Sequence, residues 1–264
     1  MKYTVLSLFP EITDAYFAAS IMAKAINRGI VEYRPVNIRE FARDRHHTCD
    51  DAPYGGGAGM LMLPEPLGLA LESVGVKPRP VGEEFVSGEI PGRQVIYLSP
   101  SGRPFTQARA RELAGETELV LICGRYEGID QRIIDLYADD EISIGDYVLS
   151  SGEVAALALI DATYRLLNEV ITPESLEEES FSGNLLEYPQ YTRPEVYATV
   201  KVPEVLLSGH HENIRRWRRR KQVEKTLAVR PDLIDRGAAR ELFDRETGRL
   251  IEELRWKDER DKGD

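Results

Sequence analysis

The spacing of apolar residues along this chain alternates between that of a strand and that of a helix, which predicts strands alternating with helices. Continuous or alternating apolar runs that stop at a proline or a glycine loop predict strands at residues 4–9, 30–38 (broken at Pro35), 94–98, 119–122 and 142–144. Apolar residues at helical spacing predict helices at residues 12–26 (with Gly29 as its cap), 64–74, 106–114, 152–167, 212–228 and 238–254. This alternation predicts an α/β fold with a parallel sheet.

The character of the chain changes after the helix predicted at 152–167. An acidic, loop-like stretch follows, and beyond it the helical patterns dominate. We therefore predict an α/β domain at 1–168, an acidic flexible linker at 169–190 and a smaller, mainly helical domain at 191–264. Residues 75–93, rich in proline and glycine, are predicted to form a mobile surface insertion.

Three of the predicted strands lead into loops that contain glycine. Residues 123–130 read Cys-Gly-Arg-Tyr-Glu-Gly-Ile-Asp, residues 143–149 read Ser-Ile-Gly-Asp-Tyr-Val-Leu, and residues 99–103 follow the strand at 94–98. Ligands of parallel sheets bind where the strands end, and glycine lets the main chain approach them. Tyr126, Tyr147 and Glu127 would add ring surface and charge. The three loops together predict a site for one small ligand.

A fourth glycine run, Tyr54-Gly55-Gly56-Gly57-Ala58-Gly59-Met60, has no such clear interpretation. It lacks the Lys-Ser/Thr ending of a phosphate-binding P-loop and the spacing of a dinucleotide fingerprint. A flexible connector and a functional segment both remain open for it.

Composition narrows the classes of function. The 264 residues are 42% hydrophobic and 30% charged, and no apolar stretch has the length of a membrane span, so we expect a soluble chain. The start of the chain has neither the basic region nor the cleavage site of a signal peptide, and with two cysteines this predicts a cytoplasmic protein. His46, His47 and Cys49 match no zinc spacing, so we predict no metal there.

Net charge argues at first against a nucleic-acid partner. The formal value is -11, whereas phosphate binding is driven by Lys and Arg. However, the run Arg215-Arg216-Trp217-Arg218-Arg219-Arg220-Lys221 concentrates positive charge locally. On a helix these arginines would face outward while Ile214 and Trp217 anchor it, which fits either a nucleic-acid surface or a solvated helix.

Taken in order, the motifs of this chain closely resemble those of the bacterial tRNA (guanine-N1)-methyltransferases of the SPOUT class. The loops at 123–130 and 143–149 carry most of the resemblance, which covers nearly the whole chain. The other matching segments are 7–11, 44–46, 50–51, 53–57, 59–60, 96–100, 191–195, 205–209 and 214–218. The resemblance implies that the C-terminal part of the sheet domain is threaded into a deep trefoil knot, which periodicity alone does not predict.

The resemblance also implies a cofactor, a substrate and an assembly. In the family the three glycine loops hold S-adenosylmethionine, the methyl donor. The cofactor contacts carried over to this chain are Leu98, Pro100, Gly124, Tyr126, Glu127, Ile144, Gly145, Tyr147, Leu149 and Gly152. The substrate would be tRNA, methylated at the guanosine immediately 3′ of the anticodon to help maintain the reading frame. Family members are homodimers with shared active sites, and a magnesium requirement stays open.

Methylation of guanine N1 requires a general base, because that nitrogen carries a proton in the neutral base. Negative charge then spreads to O6, where a cation would stabilise it. The family pattern assigns the O6 contact to Arg165 and the base to Glu179, where the family has an aspartate; Glu187 is the alternative base. The spacing from Arg165 is also one residue shorter than usual, so the reach of the carboxylate differs.

The residues expected to face RNA are Arg125, Arg215, Arg216, Arg218 and Arg219. Three classes of function are weighed: a tRNA methyltransferase, a catalytically impaired RNA- or cofactor-binding relative, and an unrelated nucleotide-using enzyme. Glu179 and two serines, Ser101 and Ser151 in place of the family's usual Gln and Gly, are the only support for the second class. The third lacks its fingerprints. We therefore predict the methyltransferase.

Overall fold

The computed structural model describes residues 1–79, 90–172 and 179–261. Contacts between Cα atoms divide the chain into two compact units, Met1–Ile171 and Thr172–Asp264. Most of the insertion predicted at 75–93 lies outside the described residues, as do Glu177 and Glu178 of the acidic run.

The first unit is built around a parallel sheet of five strands. The strands described in this unit are β1 (Lys2–Ser7), β2 (Glu32–Asn37), β3 (Asp50–Asp51), β4 (Leu61–Met62), β5 (Arg93–Pro104), β6 (Glu118–Cys123) and β7 (Asp140–Ser143). The five strands of the sheet lie in the order β2-β1-β6-β5-β7. Strands β3 and β4 form a separate antiparallel pair. The prediction of an α/β fold with a parallel sheet is confirmed.

Helices cover both faces of this sheet. They are α1 (Glu11–Phe17), α2 (Ser20–Asn27), α3 (Pro64–Ser73), α4 (Gln107–Leu113), α5 (Gln131–Tyr137) and α6 (Gly152–Tyr164), with a 3-10 helix at Ile38–Phe41. Side chains alternate along a strand, so Val120 and Ile122 of β6 join the apolar cluster on one face while Leu119 and Leu121 join the other. Every residue of β6 is buried, which explains its continuous apolar run.

Two of the predicted boundaries in this unit are wrong. The single helix expected at 12–26 is two helices, because Ala19 is extended and Ser20, the first residue of α2, takes a left-handed backbone conformation with φ of 53°. The strand expected to break at Pro35 continues through it. Strand β2 pairs with β1 at the edge of the sheet, where a missing N–H can be tolerated. Gly29, with φ of 71°, follows α2 as predicted.

Adjacent parallel strands bring the three glycine loops to one edge of the sheet. Strand β5 lies between β6 and β7, so all three end on the same side. The loop predicted after residue 98 belongs to the extended course of β5: Leu98 and Arg103 both pair with Ile142, and the residues between them bulge out. A Cβ on Gly102 would lie 2.5 Å from the main chain of Glu141, so the bulge requires a glycine there.

The second unit is mainly helical. It contains a short hairpin, β8 (Val196–Tyr197) and β9 (Val200–Lys201), and the helices α7 (Glu204–Leu207), α8 (His211–Val229), α9 (Pro231–Ala239) and α10 (Arg245–Asp261). The helix predicted at 238–254 is present but begins later, at Arg245, because the chain turns at Glu241 (φ of 54°). Asp244 then accepts a hydrogen bond from the Thr247 N–H at 2.7 Å at the start of α10. Within the described parts of the chain, no helix has the length and apolarity needed to cross a membrane.

Part of the stretch assigned to a linker packs inside the second unit. Leu185 is buried in a cluster with Val223, Ile234 and Ile251. The Leu186 N–H donates to Thr226 Oγ1 at 2.9 Å, which fixes the main chain of this stretch against α8. The described end of the acidic stretch is therefore tied to the helices of this unit.

Candidate functional site

A cavity of about 440 Å³ lies at the edge of the sheet where β5, β6 and β7 end. This volume suits a ligand of the size of a nucleoside derivative. Every residue predicted to contact a cofactor lines it: Leu98, Pro100, Gly124, Tyr126, Glu127, Ile144, Gly145, Tyr147, Leu149 and Gly152. The structure thus brings all three loops around one space, and Arg125 also lines that space.

The floor of the cavity is main chain that has no room for side chains. A Cβ on Gly152 would lie 2.7 Å from the main-chain nitrogen of Gly124, and the Gly152 N–H donates to the Gly124 carbonyl at 2.9 Å. A Cβ on Gly124 would lie 3.0 Å from the ring of Tyr97. The first turn of α6 therefore packs directly against the end of β6, and the main chain of both is available to a ligand.

The wall and rim of the cavity differ in exposure. Leu98 is buried and Ile144 half-buried, whereas Tyr126, Tyr147 and Leu149 are exposed. Tyr126 holds a left-handed backbone conformation with φ of 60°, which is uncommon for a residue with a side chain. Desolvation, followed by a hydrogen bond with Asp50, raises the pKa of its hydroxyl. The rim therefore carries two aromatic side chains, and one of them, that of Tyr126, belongs to a residue with a strained backbone conformation.

The two serines in the cofactor loops fit without strain. Ser151 has an extended backbone with φ of -162°, a conformation open to any residue, so the glycine usual in the family is not needed for its φ. The Ser101 N–H donates to Ser99 Oγ at 3.1 Å within the bulge of β5. Both serines line the cavity, and neither has a positive φ.

Arg125 is held by a buried carboxylate that the sequence analysis did not select. Glu153, in the first turn of α6, is fully buried and lies 3.5 Å from Arg125 Nε through its Oε2 atom. Its other oxygen accepts a hydrogen bond from Ser7 Oγ at 2.5 Å. The Arg125 guanidinium also lies 4.6 Å from the centre of the Phe9 ring, a cation–π distance.

A sequence signal for this carboxylate exists. Glu153 is an acidic residue at the start of a helix that is otherwise apolar on nearly every side. Such a charge is buried only where it has a partner, so its position alone points to a nearby cation. Which cation it meets depends on how α6 packs against the loop after β6, and spacing does not predict that packing.

The residues assigned to acid–base chemistry belong to different units. Arg165 ends α6 in the first unit and is half-buried, whereas Glu179 and Glu187 belong to the second unit. The Glu187 carboxylate accepts a hydrogen bond from Gln190, and its main-chain N–H donates to Ser180 Oγ at 3.1 Å. Neither Arg165 nor Glu179 is without an interaction partner.

The arginine-rich run lies on α8, as predicted, but its arginines are partly occupied by carboxylates. Arg215 and Arg216 are exposed and contact Glu212 at 2.9 Å and 3.2 Å. Both also approach Glu246. Arg218 lies 4.8 Å from the centre of the Tyr188 ring, and Arg219 is exposed. Such exposed ion pairs are weak, roughly 0–1 kcal/mol, so phosphate groups can replace the carboxylates.

Helix α8 is anchored by residues nearer to its C-terminal end than the sequence indicates. Ile214 and Trp217 are only half-buried, although Trp217 lies 6.3 Å from the ring of Tyr191. Val223 and Thr226, one to three turns later, are fully buried. The arginine-rich half of α8 is thus the more exposed half.

The segment that holds His46, His47 and Cys49 makes local hydrogen bonds. His47 Nδ1 lies 3.1 Å from the Arg39 carbonyl, and the Cys49 thiol donates to the His47 carbonyl. Within the described ranges, no three His, Cys, Asp or Glu side chains are grouped so that they could hold a metal ion.

Comparisons with known proteins agree across the chain. A family model described as tRNA (Guanine-1)-methyltransferase TrmD matches residues 1–236. A tRNA (guanine-N(1)-)-methyltransferase of Treponema denticola is 57% identical over 254 residues, which cover 96% of this chain and 99% of the relative. Its counterpart in Treponema pallidum is 55% identical and covers 96% of both chains, and that of Borreliella burgdorferi is 57% identical over 88% of this chain and 92% of its own.

Proposed function

The chain belongs to the tRNA (guanine-1)-methyltransferase family, enzymes that methylate N1 of guanine in tRNA, and from this we propose its donor, target and catalytic residues. The methyl donor is S-adenosylmethionine, which binds in the cavity at the end of β5, β6 and β7. The target is the guanosine immediately 3′ of the anticodon, where methylation helps to maintain the reading frame. The enzyme acts in the cytoplasm, and its sheet unit carries a deep trefoil knot.

The residues around the cavity fit this donor. A flat adenine ring suits the apolar side chains of Leu98, Ile144 and Leu149 beside the main-chain groups of the glycine loops. The Glu127 carboxylate complements the positively charged end of the molecule. When bound, S-adenosylmethionine supplies an electrophilic methyl group on a sulfonium centre.

The remaining chemistry belongs to the side chains. Glu179 removes the N1 proton of the target guanine, which makes that nitrogen a nucleophile. The Arg165 guanidinium stabilises the charge that develops on O6. A glutamate reaches roughly 1 Å further than an aspartate, and a misplacement of that order can cost about a hundredfold in rate.

The RNA contacts are divided between the two units. Arg215, Arg216, Arg218 and Arg219 bind the phosphate backbone through charge, and Arg125 contacts RNA beside the cavity.

A homodimer with shared active sites is also part of this proposal. The run Tyr147-Val148-Leu149 is exposed beside the cavity, with Val148 84% exposed, and Val154 is 50% exposed. Adjacent exposed apolar side chains of this kind are typical of contact surfaces between subunits. A partner subunit that covers them would also close the cavity.

The observation that carries the proposal is the convergence of all the assigned cofactor residues on one cavity. Its test is transfer of labelled methyl from S-adenosylmethionine to a tRNA transcript with guanosine 3′ of its anticodon, beside one with adenosine there. The enzymes compared are wild type, Glu179→Gln and, as the matched control, Glu187→Gln. We expect transfer to the guanosine transcript only, lost in Glu179→Gln and retained in Glu187→Gln.

Other results would correct the assignment. Loss of transfer in Glu187→Gln alone would make Glu187 the base. Absence of transfer by wild type that still binds S-adenosylmethionine would leave a catalytically impaired cofactor-binding relative. Equal methylation of both transcripts would contradict the proposed target.

A further inference from the structure

The glycine segment (residues 54–60), for which the sequence left two interpretations open, runs beside the loop that carries Glu127. The Glu127 N–H donates to the Met60 carbonyl at 3.0 Å, and the Met62 N–H donates to the Gly128 carbonyl at 3.0 Å. The Asp130 N–H donates to the Met62 carbonyl at 3.2 Å, and Met62 forms a parallel β-bridge with Ile129. The end of the glycine segment is therefore joined by main-chain hydrogen bonds to the cavity loop.

Within this pairing, Gly59 and the Glu127 side chain occupy adjoining space. A Cβ placed on Gly59 would lie 2.3 Å from Glu127 Cγ and 2.5 Å from its Oε1 atom. Real Cβ atoms do not approach other atoms so closely, so any side chain at position 59 would displace Cγ and the carboxylate beyond it. The displacement falls on a side chain and not on the main chain, because the nearest atoms all belong to the Glu127 side chain.

We propose that Gly59 is a positioning residue for Glu127. Because position 59 has no side chain, the Glu127 side chain can occupy the adjoining space, and this sets the direction of its carboxylate. The inference rests on the proposed function, in which that carboxylate meets the positively charged end of S-adenosylmethionine. It assigns a role to the glycine segment beyond that of a connector. The Glu127 main chain is held by Met60, and its side chain is confined by Gly59.

The chain contains a matched control for the backbone. Gly55 and Gly59 both have φ of +86°, a conformation that strains any residue with a side chain. A Cβ on Gly55 would meet nothing within 4 Å. Gly55→Ala and Gly59→Ala therefore impose similar backbone strain, and only Gly59→Ala adds the collision with Glu127.

The experiment measures binding of S-adenosylmethionine by calorimetry to the full-length chain without tRNA. The variants are Gly59→Ala, Gly55→Ala, Glu127→Ala and the double variant Gly59→Ala/Glu127→Ala. We expect Glu127→Ala and Gly59→Ala each to weaken binding about tenfold to a hundredfold, as for loss of a hydrogen bond to a charged group. Gly55→Ala is expected to bind like wild type, with a thermal destabilisation similar to that of Gly59→Ala.

The double variant separates a specific contact from general damage. Glu127→Ala removes Cγ and the carboxylate, so the added methyl at position 59 has nothing to displace and we expect no further loss of affinity. Losses that multiply in the double variant, or a Gly59→Ala protein that binds like Gly55→Ala, would overturn the inference. If Gly59→Ala fails to fold, recovery of folding in the double variant supports the contact, and failure of both overturns it.

Failure of the proposed function gives a different result. If Glu127→Ala binds S-adenosylmethionine as tightly as wild type, the assigned role of Glu127 is wrong, whatever the glycine variants do. If wild type itself does not bind the molecule, the proposed donor is wrong.

Discussion

At the scale of single residues, Glu153 and Arg125 form an ion pair that is largely buried within the first unit. The Glu153 side chain is fully buried and that of Arg125 is 23% exposed. Among the described residues, Arg125 Nε and Glu153 Oε2 have no hydrogen-bond partner, so the attraction between the charges is their main compensation for lost hydration. Removal of one charge would leave the other buried without that compensation.

We therefore expect Glu153→Gln to destabilise the protein by about 3 kcal/mol, the typical cost of breaking a buried pair from one side. Denaturant unfolding monitored by fluorescence measures this. The control is Glu112→Gln, which removes an exposed partner of Arg109 and should change stability by less than about 0.5 kcal/mol. Equal effects of the two substitutions would mean that the buried pair contributes no more than a surface one.

The two cysteines give a second prediction at this scale. Burial raises the pKa of the Cys123 thiol well above its ordinary value, with a further contribution from the negative charge of Glu153. Burial also raises the pKa of Cys49. A thiol reacts as its thiolate, so both should be inert to Ellman's reagent at about pH 8 in the native protein.

In denaturant we expect the reagent to titrate both thiols, since the chain contains 2 cysteines. Rapid reaction of one thiol in native protein, at the rate of free cysteine, would contradict the burial described for that residue.

At the scale of elements, Glu118 ties the three central strands together at one end of the sheet. It begins β6, and its register partners are Lys2 on β1 and Arg93 on β5. Its carboxylate lies 3.2 Å from Lys2 Nζ and 2.7 Å from Arg93 Nη2, and it accepts a hydrogen bond from Thr4 Oγ1 at 2.8 Å. Burial acts to raise the pKa of Glu118, but these partners outweigh it and the pKa is lowered.

A lowered carboxylate pKa in the folded state adds stability above the unfolded pKa, and this is lost as pH falls through the folded value. We expect Glu118→Gln to be less stable than wild type by about 2 kcal/mol at pH 7. The difference should shrink as pH falls from about 5 to about 3, as measured by urea unfolding at each pH. A difference that stays constant over this range would exclude the carboxylate charge as its cause.

Helix α8 supplies a prediction about RNA. If Arg215 and Arg216 bind phosphates, Arg215→Ala/Arg216→Ala should weaken tRNA binding at low salt and reduce the slope of log affinity against log salt by about 2. Filter binding over a salt series measures both. The control is Arg230→Ala, which removes an exposed ion pair with Asp232 in the same unit. An unchanged slope in the double variant would exclude these arginines from the phosphate contacts.

The sequence predicts elements well where burial dictates composition. Strand β6 is buried on both faces, and after Glu118 it reads as an unbroken apolar run. The breaks at Ser20 and Glu241 were missed because both residues adopt positive φ without being glycine, and their side chains carry no signal of it. Contacts such as that of Gly59 with Glu127 cannot be predicted from the sequence for another reason. They join segments that are distant in sequence, and they depend on how the main chain folds back.

The three loops of the cavity could be selected from the sequence because loops at the ends of parallel strands converge on one edge, and the individual contact residues were selected from the resemblance to a family. Their individual roles came from the resemblance to a family, since backbone contacts leave little trace in residue type. Glu153 is the opposite case. A charged residue at the start of a mostly apolar helix can be noticed in the sequence, but its partner, Arg125, can be identified only from the structure.

At the scale of the whole molecule, the exposed apolar run beside the cavity bears on assembly. If the proposed homodimer uses it, Val148→Asp should shift the protein from dimer to monomer in sedimentation velocity and reduce methyl transfer, because a buried charge without a partner opposes association. Val229→Asp, at a position 64% exposed in the second unit, is the control and should leave the dimer intact. A Val148→Asp dimer of unchanged stability would place the interface elsewhere.

The close packing of Gly124 against Gly152 also has a consequence for resistance to inhibitors. A compound that draws its affinity from the main chain at this junction offers few side chains for a mutant to alter. Any larger residue at position 152 would press its Cβ to 2.7 Å from the Gly124 nitrogen and disturb the end of β6 itself. A substitution that excluded the compound there would also damage the enzyme, so escape would have to arise at the exposed rim, at Tyr126 or Tyr147, where sequencing of resistant isolates should find it.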